Sequence, residues 1–180
     1  MSASGLDVFD KTLQITNIWL DEVMSDVGPD RHVAWHVLNA VLRTLRDRVP
    51  ADLAAHLGAQ LPLLVRGAYY DDYRPGRKPG SVRDQDEFFA LVGERMTDIR
   101  PIDVHDAVLS VFGVLSAHLP RGQCEKVRDA LPDDLKSLWH FDETAAATRK
   151  EKAAAGRAAQ QAQEARSFRA RGGVDTRNRE

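Results

Sequence analysis

Apolar residues recur along this chain at steps of three, four and seven, and the spacing predicts helix after helix. Phe9, Leu13, Trp19, Leu20, Val23, Met24 and Val27 form the first stripe. Asp7 and Asp10 stand at its start, where carboxylates complement the helix dipole, and Gly28-Pro29 closes it. The regular stripe Ala34, Val37, Leu38, Val41, Leu42, Leu45, Val49 follows, with Asp30 as its expected N-cap. Pro50 opens a short helix with Leu53, Ala54, Leu57 and Leu61, and Pro62 opens another with Leu63, Leu64, Val65 and Ala68. Residues 71–83 carry Pro75-Gly76 and Pro79-Gly80, which mark turns in a linker. Asp84 and Glu87 then have capping-box spacing ahead of Phe88, Phe89, Leu91, Val92 and Met96. No segment alternates with period two between hairpin turns, so strands are not expected.

After Pro101 the first pattern returns. Val104, Ala107, Val108, Val111, Phe112, Leu115 and Leu119 run up to Pro120. Short helices around Cys124 and Val127, and around Leu135, Leu138 and Trp139, follow it. Shifting residues 31–70 by 70 positions lays Pro50 on Pro120, Pro62 on Pro132, Val41 on Val111, Leu45 on Leu115 and Leu61 on Leu131. Five identities in forty are few; the shared punctuation carries more weight. The expected architecture is all-α. Two pseudo-repeated units of about four helices each, residues 1–70 and 84–143, pack into one body around the linker 71–83. Residues 144–180 form a partly helical or disordered tail, rich in Ala and Gln with no large apolar residue between Phe141 and Phe168.

Composition sharpens this picture in two places. The 180 residues are 43% hydrophobic and 29% charged, enough apolar material for a core, with a net charge of −2. The charge is divided, however: the tail holds nine basic and four acidic residues, leaving the body before it acidic. A uniformly basic nucleic-acid coat is excluded, and a basic arm on an acidic body is not. Cys124 is the only cysteine, which excludes an internal disulfide and any CxxC motif. No apolar run is long enough for a membrane span. Met1-Ser2-Ala3-Ser4-Gly5 lacks the features of a signal peptide, and a cytoplasmic location is expected.

The run Phe9-Asp10-Lys11-Thr12-Leu13-Gln14 with Trp19-Leu20, the stretch Leu45-Arg46-Asp47-Arg48-Val49-Pro50, the segment His56 to Pro62 and the pair Tyr69-Tyr70 resemble the bacterial domain of unknown function 2267 family. Leu131-Pro132 and Leu138-Trp139 extend the resemblance over about residues 6–141. It implies an all-helical fold and brings no activity or catalytic residues with it. The chain departs from the family's usual pattern after the paired tyrosines, where Asp72 and Tyr73 replace a small residue and a tryptophan.

Few constellations could carry chemistry. His32 and His36 have the i, i+4 spacing of a shared metal, but the helical angle turns them away from the apolar stripe and no HExxH pattern accompanies them. A solvated polar edge is the plainer reading. Asp71-Asp72 could take a divalent cation, or simply end a helix and pair with Arg74 or Arg77. Cys124 falls on an apolar-leaning position and reads as a small, half-buried core residue. No phosphate loop, GxSxG or GxGxxG occurs. No catalytic residue, metal ligand or cofactor is assigned, no small-molecule substrate is implied, and an enzyme is not expected.

The binding candidates cluster in the linker. Tyr70, Tyr73, Arg74, Arg77, Lys78 and Arg83 bring together the two residue types that concentrate energy at interfaces, Tyr and Arg. Tyr69 is adjacent but matches Trp139 in the shifted alignment, so a packing role is expected for it. The reading that follows is a non-enzymatic helical interaction or scaffolding protein that docks a protein partner or a second copy of itself. The alternative is a nucleic-acid-associated protein that binds through the tail and the linker, with salt-sensitive affinity.

Overall fold

A computed structural model describes residues 6–76, 80–141, 144, 147–155, 158, 159, 162 and 166. Eight helices follow in order: α1 Asp7–Val27, α2 Arg31–Arg46, α3 Ala51–Gln60, α4 Leu63–Tyr70, α5 Gln85–Gly93, α6 Val104–His118, α7 Arg121–Asp129 and α8 Asp133–Leu138. Residues 147–155 are helical as well, and no strand occurs among the described residues. The fold is all-α.

Local chemistry sets the boundaries. Gly28 ends α1 at φ 105°, a left-handed conformation that favours glycine, and its N–H donates to Met24 O at 2.9 Å. Asp30 caps α2 by accepting from the N–H groups of His32 and Val33. Asp103 caps α6 in the same way, through His105 and Asp106. Asp84 accepts from the Glu87 N–H at the start of α5, and the Glu87 carboxylate reaches back to the Arg83 N–H. Pro50, Pro62, Pro120 and Pro132 stand one residue ahead of α3, α4, α7 and α8, with φ between −52° and −57°. A fixed φ and a missing N–H cost nothing at that position. α7 and α8 begin 70 residues after α3 and α4, the offset that separates the prolines.

The buried side chains form one cluster that draws on every helix from α1 to α8. The α2 stripe from Ala34 to Leu45 is fully buried, and α2 packs on α1, α4, α5 and α6. α1 also packs on α6, and α3 on α7, so the two stretches of the chain share one core. Trp139 closes the far end. Its ring stacks on Phe112 at 4.4 Å, and its indole N–H donates to Ser116 Oγ at 2.8 Å.

Two expectations need correction. Phe9 and Leu13 are half-exposed, and α1 becomes buried only from Thr16 onward. At 21 residues α1 outruns α2 (16) and α6 (15), so its first turns extend past the helices that would cover them. The tail, in turn, is not bare of contacts. Arg149 pairs with Asp26 and its guanidinium lies against Gly113, Lys152 Nζ donates to Ser25 O at 2.8 Å, and Ala153 is buried. Small alanines let residues 147–155 lie close to the body without a large apolar face.

Candidate functional site

The C-terminal end of α2 turns into Asp47, Arg48 and Val49, and this turn is the floor of a cleft of about 640 Å3. Arg46, Asp47, Arg48 and Val49 come from that turn, Asp72, Tyr73, Arg74 and Gly80 from the linker, and Arg95 from the segment after α5. Four guanidinium groups thus face two carboxylates around one opening.

Arg46 is buried at 2% exposure, and its hydrogen bonds are structural. Nε donates to Asp47 Oδ1 at 2.7 Å, and Nη1 donates to the carbonyls of Tyr69 and Asp71. Those carbonyls end α4, so Arg46 fastens the end of α4 to the end of α2. Its guanidinium also lies 4.8 Å from the centre of the Tyr73 ring. Arg95 donates to the other Asp47 oxygen at 2.8 Å. Burial holds Arg95 below the usual guanidinium value; Asp47 opposes that, and Arg46, Arg43 and Arg48 add to it. Asp47 thus serves two arginines at once.

Arg48 and Arg74 differ. Among the described residues neither side chain has an ion-pair or hydrogen-bond partner, and Arg48 Nε is buried without one. Gly80 makes room for Arg48. A Cβ there would collide with the guanidinium, while the Gly80 N–H donates to Asp47 O at 3.0 Å and lays the linker along the turn. Asp72 turns the chain into this position at φ 57°, a region Asp tolerates better than most residues.

The linker candidates therefore separate. Tyr73 and Arg74 line the cleft. Tyr70 lies beside it, with its ring 5.8 Å from Tyr73 and its hydroxyl donating to Ala55 O at 3.3 Å. Arg83 does not line the cleft and is engaged with Glu87. Arg77 and Lys78 lie outside the described residues. Tyr69 is fully buried and its hydroxyl donates to Ala54 O at 2.8 Å, a packing role. Burial raises its phenol above the ordinary value, and the neighbouring Tyr70 adds to this.

Asp71 pairs with Arg43 of α2 and not with Arg74, because the end of α4 faces α2; the expected alternative Arg77 lies outside the described residues. Arg43 also donates to Ala68 O at 2.8 Å. His32 and His36 are on the outer side of α2 as expected, with their Nε2 atoms 3.2 Å apart. Among the described residues no further His, Cys or carboxylate group joins them. Asp103, His105 and Asp106 do approach one another, but all three are exposed at the start of α6, where Asp103 is the cap. Cys124 is fully buried, not half-buried; burial pushes its thiol up to about 11, with Glu125 adding to the effect.

The family model of an uncharacterized conserved protein, DUF2267, matches residues 16–138. The chain belongs to the DUF2267 family. The match begins where α1 becomes buried and ends with α8, so the DUF2267 unit takes in the shared core except Trp139, one residue beyond it. It excludes the exposed first turns of α1 and the helical segment at 147–155. The cleft, by contrast, lies wholly inside the DUF2267 match. Comparison with curated proteins finds no match. No helix among the described residues is long and apolar enough to cross a membrane.

Proposed function

We propose that this protein is a non-enzymatic binding module that engages a protein partner at the cleft where the linker meets the end of α2. One observation carries the reading: Tyr73, Arg74 and Arg48 converge on a concave opening, and two of these three are arginines with no hydrogen-bond or ion-pair partner among the described residues. Guanidinium and phenol groups held at a concave surface are what interfaces use as anchors. Arg46 stacks on the Tyr73 ring and so pre-positions one anchor. The tail reading has less support, since Arg149 and Lys152 are already turned toward Asp26.

The test is affinity capture with the full chain, paired with light scattering to detect self-association. The wild type captures a defined partner or forms a defined oligomer. Tyr73→Ala/Arg74→Ala loses that complex while its circular dichroism stays native and it still melts cooperatively, at a temperature lowered by the lost Tyr73 packing on Arg46. Retention of the complex by a folded double variant refutes the assignment of this surface.

A further inference from the structure

The cleft carries a more specific chemistry than a generic partner surface. Of its four arginines, Arg46 and Arg95 are balanced by the single carboxylate of Asp47 and by the carbonyls that end α4. Arg48 and Arg74 remain, one from each wall of the opening; among the described residues neither has a hydrogen-bond or ion-pair partner, and Arg48 acts on the Glu87 carboxylate only through space. Arg48 Nε itself is buried beyond a ligand's reach, but Arg48 and Arg74 both line the opening, where a bound anion would supply the acceptors their guanidinium groups lack.

We infer that this cleft binds the dianionic head of a phosphate monoester, with Arg48 and Arg74 as its ligands. The inference rests on the reading of the cleft as a binding surface and names what that surface recognises. The charge match favours a dianion: four guanidinium groups against the carboxylates of Asp47 and Asp72 leave an excess of two positive charges, which a phosphate monoester balances and a carboxylate or sulfate ester only halves. Three peripheral oxygens also accept from forks that arrive from opposite walls, which a planar carboxylate does less well. At about 640 Å3 the cleft has room for more than a bare phosphate, and Val49 and Tyr73 provide the less polar wall for the ester's carbon. Gly80 is a positioning residue. It touches no ligand, but its missing side chain is what allows the Arg48 guanidinium to stand at the wall.

Titration calorimetry of the full chain at fixed ionic strength tests this. Phenyl phosphate binds saturably, one per chain, and phenyl sulfate, of the same shape with one charge fewer, binds about tenfold more weakly. Arg48→Gln and Arg74→Gln each weaken phenyl phosphate by about tenfold. Gly80→Ala, which displaces Arg48 without removing a charge, weakens it as well, and no rise in salt-dependent non-specific binding replaces it. Arg74 is exposed and has no hydrogen-bond or ion-pair partner among the described residues, so its variant remains folded whatever happens at Arg48.

A phosphoserine peptide and its unphosphorylated form identify the source. A peptide that binds more tightly than phenyl phosphate, and only when phosphorylated, places the phosphate on a protein partner; the reverse order places it on a free ester. No saturable heat with phenyl phosphate, or equal affinity in wild type and both Gln variants, overturns the inference. If that occurs while Tyr73→Ala/Arg74→Ala still abolishes partner capture, the anion falls and the binding surface stands. If phenyl phosphate binds while capture is unaffected, the partner reading falls instead.

Discussion

Removing the His118 side chain tests the account of how the two stretches of chain are held together. Glu22 of α1 is buried at 1% exposure, and its carboxylate faces α6. One oxygen accepts from His118 Nε2 at 2.8 Å, and the other has no partner. His118→Ala therefore strands a carboxylate between two helices. Loss of a hydrogen bond to a charged group costs about 1.5–3 kcal/mol. The imidazole also packs 5.4 Å from the Trp19 ring, and that contact adds up to about 1 kcal/mol. Because His118 is 19% exposed, water can follow into part of the vacated space. The result should fall near ~3 kcal/mol, at the low end of what breaking a buried pair costs.

Urea unfolding followed by tryptophan fluorescence measures it, since Trp19 reports from the pair itself. Glu22→Gln alone should cost less, because the amide oxygen still accepts from Nε2. In the His118→Ala background the same substitution should recover about 1–2 kcal/mol, since an unpartnered amide is cheaper to bury than an unpartnered carboxylate. A loss below about 1 kcal/mol in His118→Ala, or no recovery in the double variant, would refute the reasoning.

Two further outcomes follow from the same structure. The Cys124 thiol, raised from an ordinary value near 9 to about 11, stabilises the fold fully below pH 9 and loses that contribution as pH climbs toward 11. The gap corresponds to about 3 kcal/mol. Cys124→Ala should flatten the alkaline decline in melting temperature, and a thiol reagent at pH 8 should label the native chain slowly and the urea-unfolded chain fast. Asp26 accepts from Ser110 Oγ at 2.8 Å and pairs with Arg149. Asp26→Ala should speed tryptic cleavage at Arg149, Lys150 and Lys152, with a loss of body stability of only about 1 kcal/mol. Unchanged cleavage would show that Ala153 packing alone holds the segment.

The fold was legible because this chain writes its helix boundaries in residues with one physical meaning. Gly28-Pro29, Asp30, Asp84 and the four helix-opening prolines each allow few alternatives, and the α2 stripe allows one buried face. The misreadings came from tertiary facts that periodicity does not encode. Phe9 and Leu13 have helical spacing, but spacing does not say how far the neighbouring helices reach. The tail's alanines looked like a surface with nothing to bury, yet a small residue buries well against a close backbone. For the cleft, Tyr73 and Arg74 were visible as a linker cluster, whereas Arg46, Arg48 and Arg95 were not grouped with them. One signal did exist. Arg46 continues the i, i+4 line of Leu38 and Leu42, so a cation was placed on the buried stripe, and a buried cation demands partners. No signal existed for Arg95, which arrives from 47 residues beyond Arg48 only once α5 has packed on α2.

The division of labour among the four arginines lets one cleft be a structural joint and, on the proposed reading, a recognition surface as well. Arg46 is the costly one to bury, and the chain uses its donors on Asp47 and on the carbonyls that end α4, so nothing about it is free to respond to a ligand. With Arg46 committed, the joint stays rigid: the end of α4 cannot drift from α2, and Tyr73 is held against the guanidinium. Arg95 engages the second oxygen of Asp47 from the opposite side, so both oxygens of that carboxylate are held by Arg46 and Arg95. Among the described residues Arg48 and Arg74 are then left without a hydrogen-bond or ion-pair partner. Binding energy at such a site would not be consumed in ordering the protein, because Arg46 and Arg95 already do the ordering.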